Sequence, residues 1–353
     1  MGRVESLRTE YKYKNTEIGK IPVDWDVVKI EDTCQDFASL ICKDKVYNWF
    51  IFYRIKYMRK EIERLGSGST FNEVSKKIIR GLKIPIPPLP EQKKIAEILI
   101  SVDEAINRKQ EIIEKTNILK KGLMQELLTR GIGHKKFKKT EIGEIPMDWE
   151  VVKLEDCAAQ QKYSFVDGLF GSNLKSIHYV DEGIPVIQSQ FIISGKFRDV
   201  ATFYITAQKT REPKRSRVLP GDIVIAKIGM NYGASATVPE NYPEAVLSGN
   251  TMKITPNDNR VVTRFLQYLL HYLRMSKAFD QIVSTTAQPA ITLKGLKNLK
   301  IPLPVIKEQK KIVEILTSVD EEIEKEMAHK ERLENIKKGL MQALLTGEIR
   351  VKI

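Results

Sequence analysis

The side chains best suited to reading nucleobase edges cluster in the middle of the chain. Gln188, Ser189 and Gln190 end a strand-like run, residues 183–189. Gln and Asn can hydrogen-bond adenine edges, and Arg can bridge guanine. Residues 209–217, KTREPKRSR, form a basic stretch whose Lys214, Arg215 and Arg217 suit phosphate contacts. Lys227, Asn231 and Tyr232 flank a glycine-containing loop and complete this candidate set. A plainer reading stands beside it: a solvated basic loop, with Ser189 or Gln190 as a structural cap.

Catalytic chemistry is harder to find. His134, His178, His271 and His329 fall in no HxxH or HExxH arrangement. The run GSGST at residues 66–70 lacks the lysine of a phosphate-binding loop and reads as a turn. Asp103 and Asp320 repeat each other inside helical runs, which suits surface or partner contacts better than acid–base work. Cys34, Cys42 and Cys157 are too few and too scattered for a disulfide scaffold or a cysteine-rich metal site. A binding module is therefore the better expectation than an enzyme, with no metal and no cofactor of its own. The net charge of +13 and pI near 9.4 favour a polyanionic partner. A reducing cytoplasm is the simplest home, since no run approaches the ~20 apolar residues of a membrane span and no signal-peptide stretch opens the chain.

Two internal repeats organise everything else. TEIGKIPVDWDVVKIED at residues 16–32 returns as TEIGEIPMDWEVVKLED at residues 140–156, identical at 13 of 17 positions, at an offset of 124. LKIPIPPLPEQKKIAEILISVDEAI at residues 82–106 returns at residues 299–323 with an offset of 217, and KGLMQxLLT follows it in both copies. The offsets differ by 93 residues, so the first copy lacks about that length after Asp32. Each copy closes on a long helix, residues 91–128 and 308–345, with apolar residues near heptad spacing. Pro85, Pro87, Pro88 and Pro90 should keep the chain from becoming helical earlier, as should Pro302 and Pro304. Gly131, Gly133 and Gly347 mark the ends. The near-identical stripes predict that the two helices pack on each other, in antiparallel fashion because a domain-length segment separates them; the alternative is two unrelated amphipathic helices, each lying on its own domain. Ile95, Leu99, Val102 and Ile106 form one stripe, and Ile312, Leu316, Val319 and Ile323 the other.

The segment without a counterpart, residues 157–263, reads as a compact mixed domain. Residues 183–189, 201–206, 221–229 and 250–256 look like strands, and residues 264–279 like a closing helix. Residues 47–62 hold the matching helix in the first copy. This segment carries 12 basic and 9 acidic residues, so net charge does not single it out.

These motifs together resemble the DNA specificity subunit of type I restriction-modification systems. The resemblance rests on IGxIPxDWxVVKxED before each variable region, on ITLKGLKNLKIPLP before the second long helix, on PxxxEQKKIxEILxSVDExI, and on KGLMQxLLT. With the repeat, it covers nearly the whole chain. It implies an α+β architecture: a mixed target-recognition domain plus two long helices packed as an antiparallel coiled coil. The implied domains are residues 1–81, a truncated first target-recognition domain; 82–139, a first spacer-helix region; 140–298, an intact second recognition domain; and 299–353, a second spacer-helix region. It also brings Gln288, in the polar stretch STTAQP, toward DNA, with a structural role as the alternative. The implied partners are double-stranded DNA, modification (methyltransferase) subunits that bind S-adenosylmethionine, and a restriction/translocase subunit. The shortened first copy leaves three readings open: a half-site reader, two self-associating copies reading a palindrome, or a relic. A scaffold that docks the modification subunit without reading DNA is the competing function.

Overall fold

A computed structural model describes residues 12–33, 42–66, 74–168, 178–193, 195–201, 203–206, 214–284 and 289–352. It divides into two compact units: residues 1–115 with 323–353, and residues 116–322. The division falls inside both long helices, Leu89–Thr129 and Ile306–Leu345. Among the described residues no helix is long and apolar enough to cross a membrane.

Unit 1 is built on two short antiparallel pairs and one core. Tyr13–Thr16 pairs with Gly19–Pro22, and Asp26–Lys29 with Lys83–Ile86, in the register Val28↔Ile84. The helix Asn48–Tyr57 buries Phe50, Ile51 and Tyr53 against Trp25, Ile30 and Ile84. Ile95 and Leu99 of the first long helix, and Met341, Leu344 and Leu345 of the second, close the same core. Unit 2 repeats the plan. Phe137–Thr140 pairs with Gly143–Pro146, and Glu150–Lys153 with Lys300–Leu303. The helix Thr263–Met275 buries Phe265, Leu266 and Leu269 in a core that also takes Ile312, Leu316, Met124, Leu127 and Leu128.

The long helices therefore pack together within each unit, each pairing stripe meeting the late part of the other helix. Ile323 is also buried, whereas Val102, Ile106 and Val319 are half-buried. Lys337 donates to Asp103, and Lys109 sits 2.7 Å from Glu326, in unit 1. Lys120 sits 2.5 Å from Asp320 in unit 2.

Among the described residues, the larger sheets lie in unit 2. A five-stranded sheet has the order Arg217–Val218, Ala245–Leu247, Ile184–Ile187, Tyr204–Ile205, Tyr179–Val180. A four-stranded sheet has the order Ser235–Thr237, Ile223–Ala226, Thr251–Ile254, Phe165–Asp167. Ile223–Ala226 is buried on both faces, which explains its unbroken apolar run. Lys253 lies in the adjacent strand because Asp222 sits 2.7 Å from its ammonium, so the buried charges are paired.

Three expectations need correction. Of the strand expected over residues 201–206, the described residues form Tyr204–Ile205, and residue 202 lies outside them. The helix expected over residues 264–279 stops at Met275, because Lys277 takes a left-handed φ of 62° before a separate 3-10 turn. Pro90 does not delay the first long helix but lies in its first turn, where a missing N–H leaves no helical bond unmade. Of the expected turn at residues 66–70, all but Gly66 lies outside the described residues.

Candidate nucleic-acid interface

The repeated Glu-Gln pair is the anchor of each unit. Glu91 is fully buried; Trp25 Nε1 donates to it at 3.0 Å and Arg350 Nε at 2.5 Å. Glu308 accepts from Trp149 Nε1 at 2.9 Å and lies 2.8 Å from His134 Nε2. Gln92 accepts from the Tyr47 amide at 2.8 Å and donates to the Pro87 carbonyl at 2.8 Å. Gln309 accepts from the Val262 amide at 2.7 Å and donates to the Pro304 carbonyl at 2.8 Å. Each Gln thus fixes the entry of the helix that precedes it in the core, Asn48–Tyr57 or Thr263–Met275. Gly131 and Gly347 end the long helices at φ of 69° and 78°. A Cβ on Gly131 would come within 2.5 Å of Glu308, and one on Gly347 within 2.5 Å of Pro22, so both positions need glycine for space as well as conformation.

A second repeated cluster sits on the long helices. Tyr53 donates to Asp103 at 2.8 Å and Tyr268 to Asp320 at 2.6 Å. Burial pushes the Asp103 pKa up, but hydrogen bonds from Lys337 and Tyr53 outweigh it and hold the group below its ordinary value. Asp103 and Asp320 are thus acceptors of hydrogen bonds and ion pairs within the chain, where surface or partner contacts were expected.

On this frame unit 2 brings several candidate DNA contacts together. Arg215 Nη2 donates to Asp167, and Lys227 Nζ reaches the same carboxylate at 3.2 Å. Arg217 Nη2 donates to Glu244 at 2.5 Å. Gln188 and Lys227 border one turn. The Ile187 carbonyl accepts from the Ser248 amide at 3.0 Å and the Thr251 hydroxyl at 3.1 Å, while the Lys227 amide donates to the Asn250 carbonyl at 2.8 Å. Gln188 and Ser189 are half-buried and Gln190 is exposed, at the start of the 3-10 turn Ser189–Phe191. Gln188, not Ser189 or Gln190, holds the N-cap position there, and its side chain makes no cap bond.

Tyr232 and Asn231 form a separate group. Tyr232 donates to Asp280 at 2.8 Å, a bond that raises its pKa, and its carbonyl accepts from Arg274 Nε at 3.2 Å. Gly233 fits so tightly under this loop that a Cβ would meet the Phe279 ring at 2.3 Å. The Gly229 amide donates to the Pro289 carbonyl at 3.2 Å, and the Ile291 amide to the Lys227 carbonyl at 2.9 Å. The loop therefore abuts residues 289–291. Gln288 itself lies outside the described residues, as does the side chain of Lys214.

Sequence reading missed Asp167, Glu244 and Asp280, which hold the candidate cations and tyrosine. Their partners are 27 to 60 residues away along the chain, and no local pattern pairs them. It also missed Met230, which is 97% exposed at the loop tip between Gly229 and Gly233. The two glycines around it were the one available signal. Among the described residues no group of three or more His, Cys, Asp or Glu could hold a metal ion.

The family model for the type I restriction modification DNA specificity domain matches residues 31–116 and 146–335. The chain belongs to this specificity family. It is 36% identical over 311 residues to the type I restriction enzyme MjaVIII specificity subunit of Methanocaldococcus jannaschii, covering 86% of this chain and 70% of that protein. It is 26% identical over 343 residues to the EcoBI specificity subunit of Escherichia coli, covering 90% and 70%. A solved chain from a study of complex assembly and conformational transition in the type I restriction-modification system shares the fold, with a TM-score of 0.57 at 19% identity over 88% of this chain and 74% of that one. The specificity family thus accounts for both copies of the repeat, including the shortened one.

Proposed function

We propose that this specificity subunit reads duplex DNA through unit 2 and positions the modification and restriction subunits of a type I complex for adenine methylation and cleavage. The observation that carries this reading is the pairing of a complete two-sheet domain in one copy with a copy 93 residues shorter. Residues 140–298 are the working recognition domain and residues 1–81 a truncated one. Residues 82–139 and 299–353 are the spacer regions, their helices forming an antiparallel coiled coil. The order of contacts in unit 1 supports that sense: Asp103 meets Lys337, while Lys109, further along, meets Glu326. S-adenosylmethionine belongs to the modification subunit, and the complex works in the cytoplasm.

Within unit 2, Arg215, Arg217 and Lys214 hold phosphates, exchanging Asp167 and Glu244 for the backbone when DNA arrives. Gln188, Ser189 and Gln190, with Lys227, Asn231, Tyr232 and Gln288, face the bases. Co-expression with the modification subunit followed by methylome sequencing tests the proposal. A motif specified on one side of the methylated adenine is the expected result. A fully bipartite motif would require a second reader, a palindrome would require two copies, and no motif would favour a relic or a scaffold.

A further inference from the structure

The shortened copy has an aromatic face where its sibling has a covered polar one. The helices Asn48–Tyr57 and Thr263–Met275 correspond with Tyr53 in the place of Tyr268, each tyrosine donating to the repeated aspartate. In unit 2 the neighbouring face is covered. Gln267 is 5% exposed, donates to the Gly195 carbonyl beside the paired strands Ile192–Ile193 and Lys196–Phe197, and accepts from Thr237 at 2.8 Å. Arg264 donates to the same Gln267 at 3.1 Å, and the space left beside His271 and Lys196 is about 40 Å³.

Among the described residues of unit 1, no such strand pair takes that place. The counterparts of Arg264 and Gln267 are Trp49 and Phe52, exposed at 44% and 48%. A cavity of about 370 Å³ opens beside Phe52, lined also by Lys56. Loss of a cover should favour polar side chains at the surface. Here two polar positions are aromatic instead, which calls for an occupant.

Charge and ring chemistry narrow that occupant. Residues 42–65 carry seven basic and three acidic residues. The Lys56 ammonium lies 5.5 Å from the Phe52 ring centroid, and Trp49 and Phe52 meet edge to face at 5.5 Å. Such a cationic rim repels a second copy of the same face. Duplex DNA offers phosphates but keeps its base faces stacked away from side chains. Unstacked bases satisfy both features, because every base has a π-face and a phosphate beside it. We propose that the Trp49–Phe52 face of unit 1 is a stacking platform for single-stranded nucleic acid, with Lys56, Arg59 and Lys60 neutralising its backbone. This goes beyond duplex reading by unit 2 and stands on different residues.

The test uses the full chain with oligothymidylate, oligouridylate and a duplex of random sequence. Trp25 and Trp149 are 0% and 1% exposed, so quenching of tryptophan fluorescence reports on Trp49. Single strands should quench it, and added salt should weaken binding. Trp49→Ala with Phe52→Ala should weaken single-strand binding about tenfold or more by anisotropy, while Trp49→Phe keeps it. An unchanged melting temperature confirms that the double variant is folded; if it is not, Lys56→Glu with Lys60→Glu supplies the same comparison. A DNA and an RNA oligomer quenching alike would support stacking independent of the sugar, and quenching by one alone would support a platform selective for that source. Absence of quenching, or affinity unaltered by these variants, overturns the platform. So does a concentration-dependent dimer that buries Trp49. Loss of duplex binding alone would count against the unit 2 reading and leave the platform standing.

Discussion

Unit 1 and unit 2 hold the same anchors with different partners. Each buries a tryptophan whose Nε1 donates to the glutamate that opens a long helix. Each sets a tyrosine and a lysine on a helix aspartate, Tyr53 and Lys337 on Asp103, Tyr268 and Lys120 on Asp320. What differs is the group that completes the glutamate site, Arg350 in unit 1 and His134 in unit 2. The two large sheets occur in unit 2. The anchors therefore do not depend on the two large sheets. The shortened copy keeps the tryptophan, glutamine and tyrosine contacts that seat its long helix.

The largest test of this comparison is Arg350→Ala against His134→Ala. Arg350 neutralises the fully buried Glu91 and also makes two bonds of 2.6 Å to Asp24. Its removal strands a buried carboxylate and should cost unit 1 roughly 3–5 kcal/mol in chemical denaturation. His134→Ala should cost unit 2 only about 1–2 kcal/mol, because Glu308 retains Trp149 and partial exposure. Equal losses would break the distinction.

Next, Leu99→Ala and Leu316→Ala remove equivalent, fully buried side chains. Each should cost about 2–5 kcal/mol, read as a lowered melting transition of its own unit. A negligible loss for Leu99→Ala alone would mean that the shortened copy has no comparable core.

The DNA reading separates the units by a smaller effect. Replacing Lys214, Arg215 and Arg217 together with alanine should weaken duplex binding about tenfold at moderate salt and reduce the slope of log K against log salt by up to roughly 2–3. An unchanged slope would remove them as phosphate contacts. Replacing Gln188 or Gln190 should shift sequence preference more than affinity.

The smallest effect concerns acid. Hydrogen bonds and charge from Arg350 hold the Asp24 pKa low, as those from Lys337 and Tyr53 do for Asp103 against its burial. Folded unit 1 therefore binds fewer protons than the unfolded chain. Its extra stability is present above the unfolded carboxylate value, about 3.9, and is lost as pH falls through the lower folded values. Asp103→Asn should flatten the acid limb of the stability curve for unit 1. An unaltered limb would show that the Lys337 contact adds nothing.

Much of the frame was legible in the residues. The offsets of 124 and 217 located a missing stretch of 93 residues. Prolines, glycines and an apolar stripe bounded two long helices to within two residues at their starts and ends. Boundaries that depended on a neighbour were less legible. Tyr204–Ile205 extends only over the two-residue registers that pair it with Ile184–Ile187 and Tyr179–Val180, and Lys277 ended a helix whose apolar pattern continued to Phe279. The candidate interface was read as a set of cations and amides, but not as ion pairs.

The sequence alone determined the duplication, the shortened copy, and the Glu-Gln motif at the head of each long helix, because repetition and periodicity are properties of order along the chain. Only the tertiary structure decided what those residues do. Glu91 and Trp25 are 66 positions apart, and Glu308 and Trp149 are 159 apart, yet the same 3 Å bond joins each pair. Asp167 likewise gathers Arg215 and Lys227 from 48 and 60 positions away. A hydrogen bond is set by distance and angle between atoms, and folding creates that distance without any trace in the local sequence.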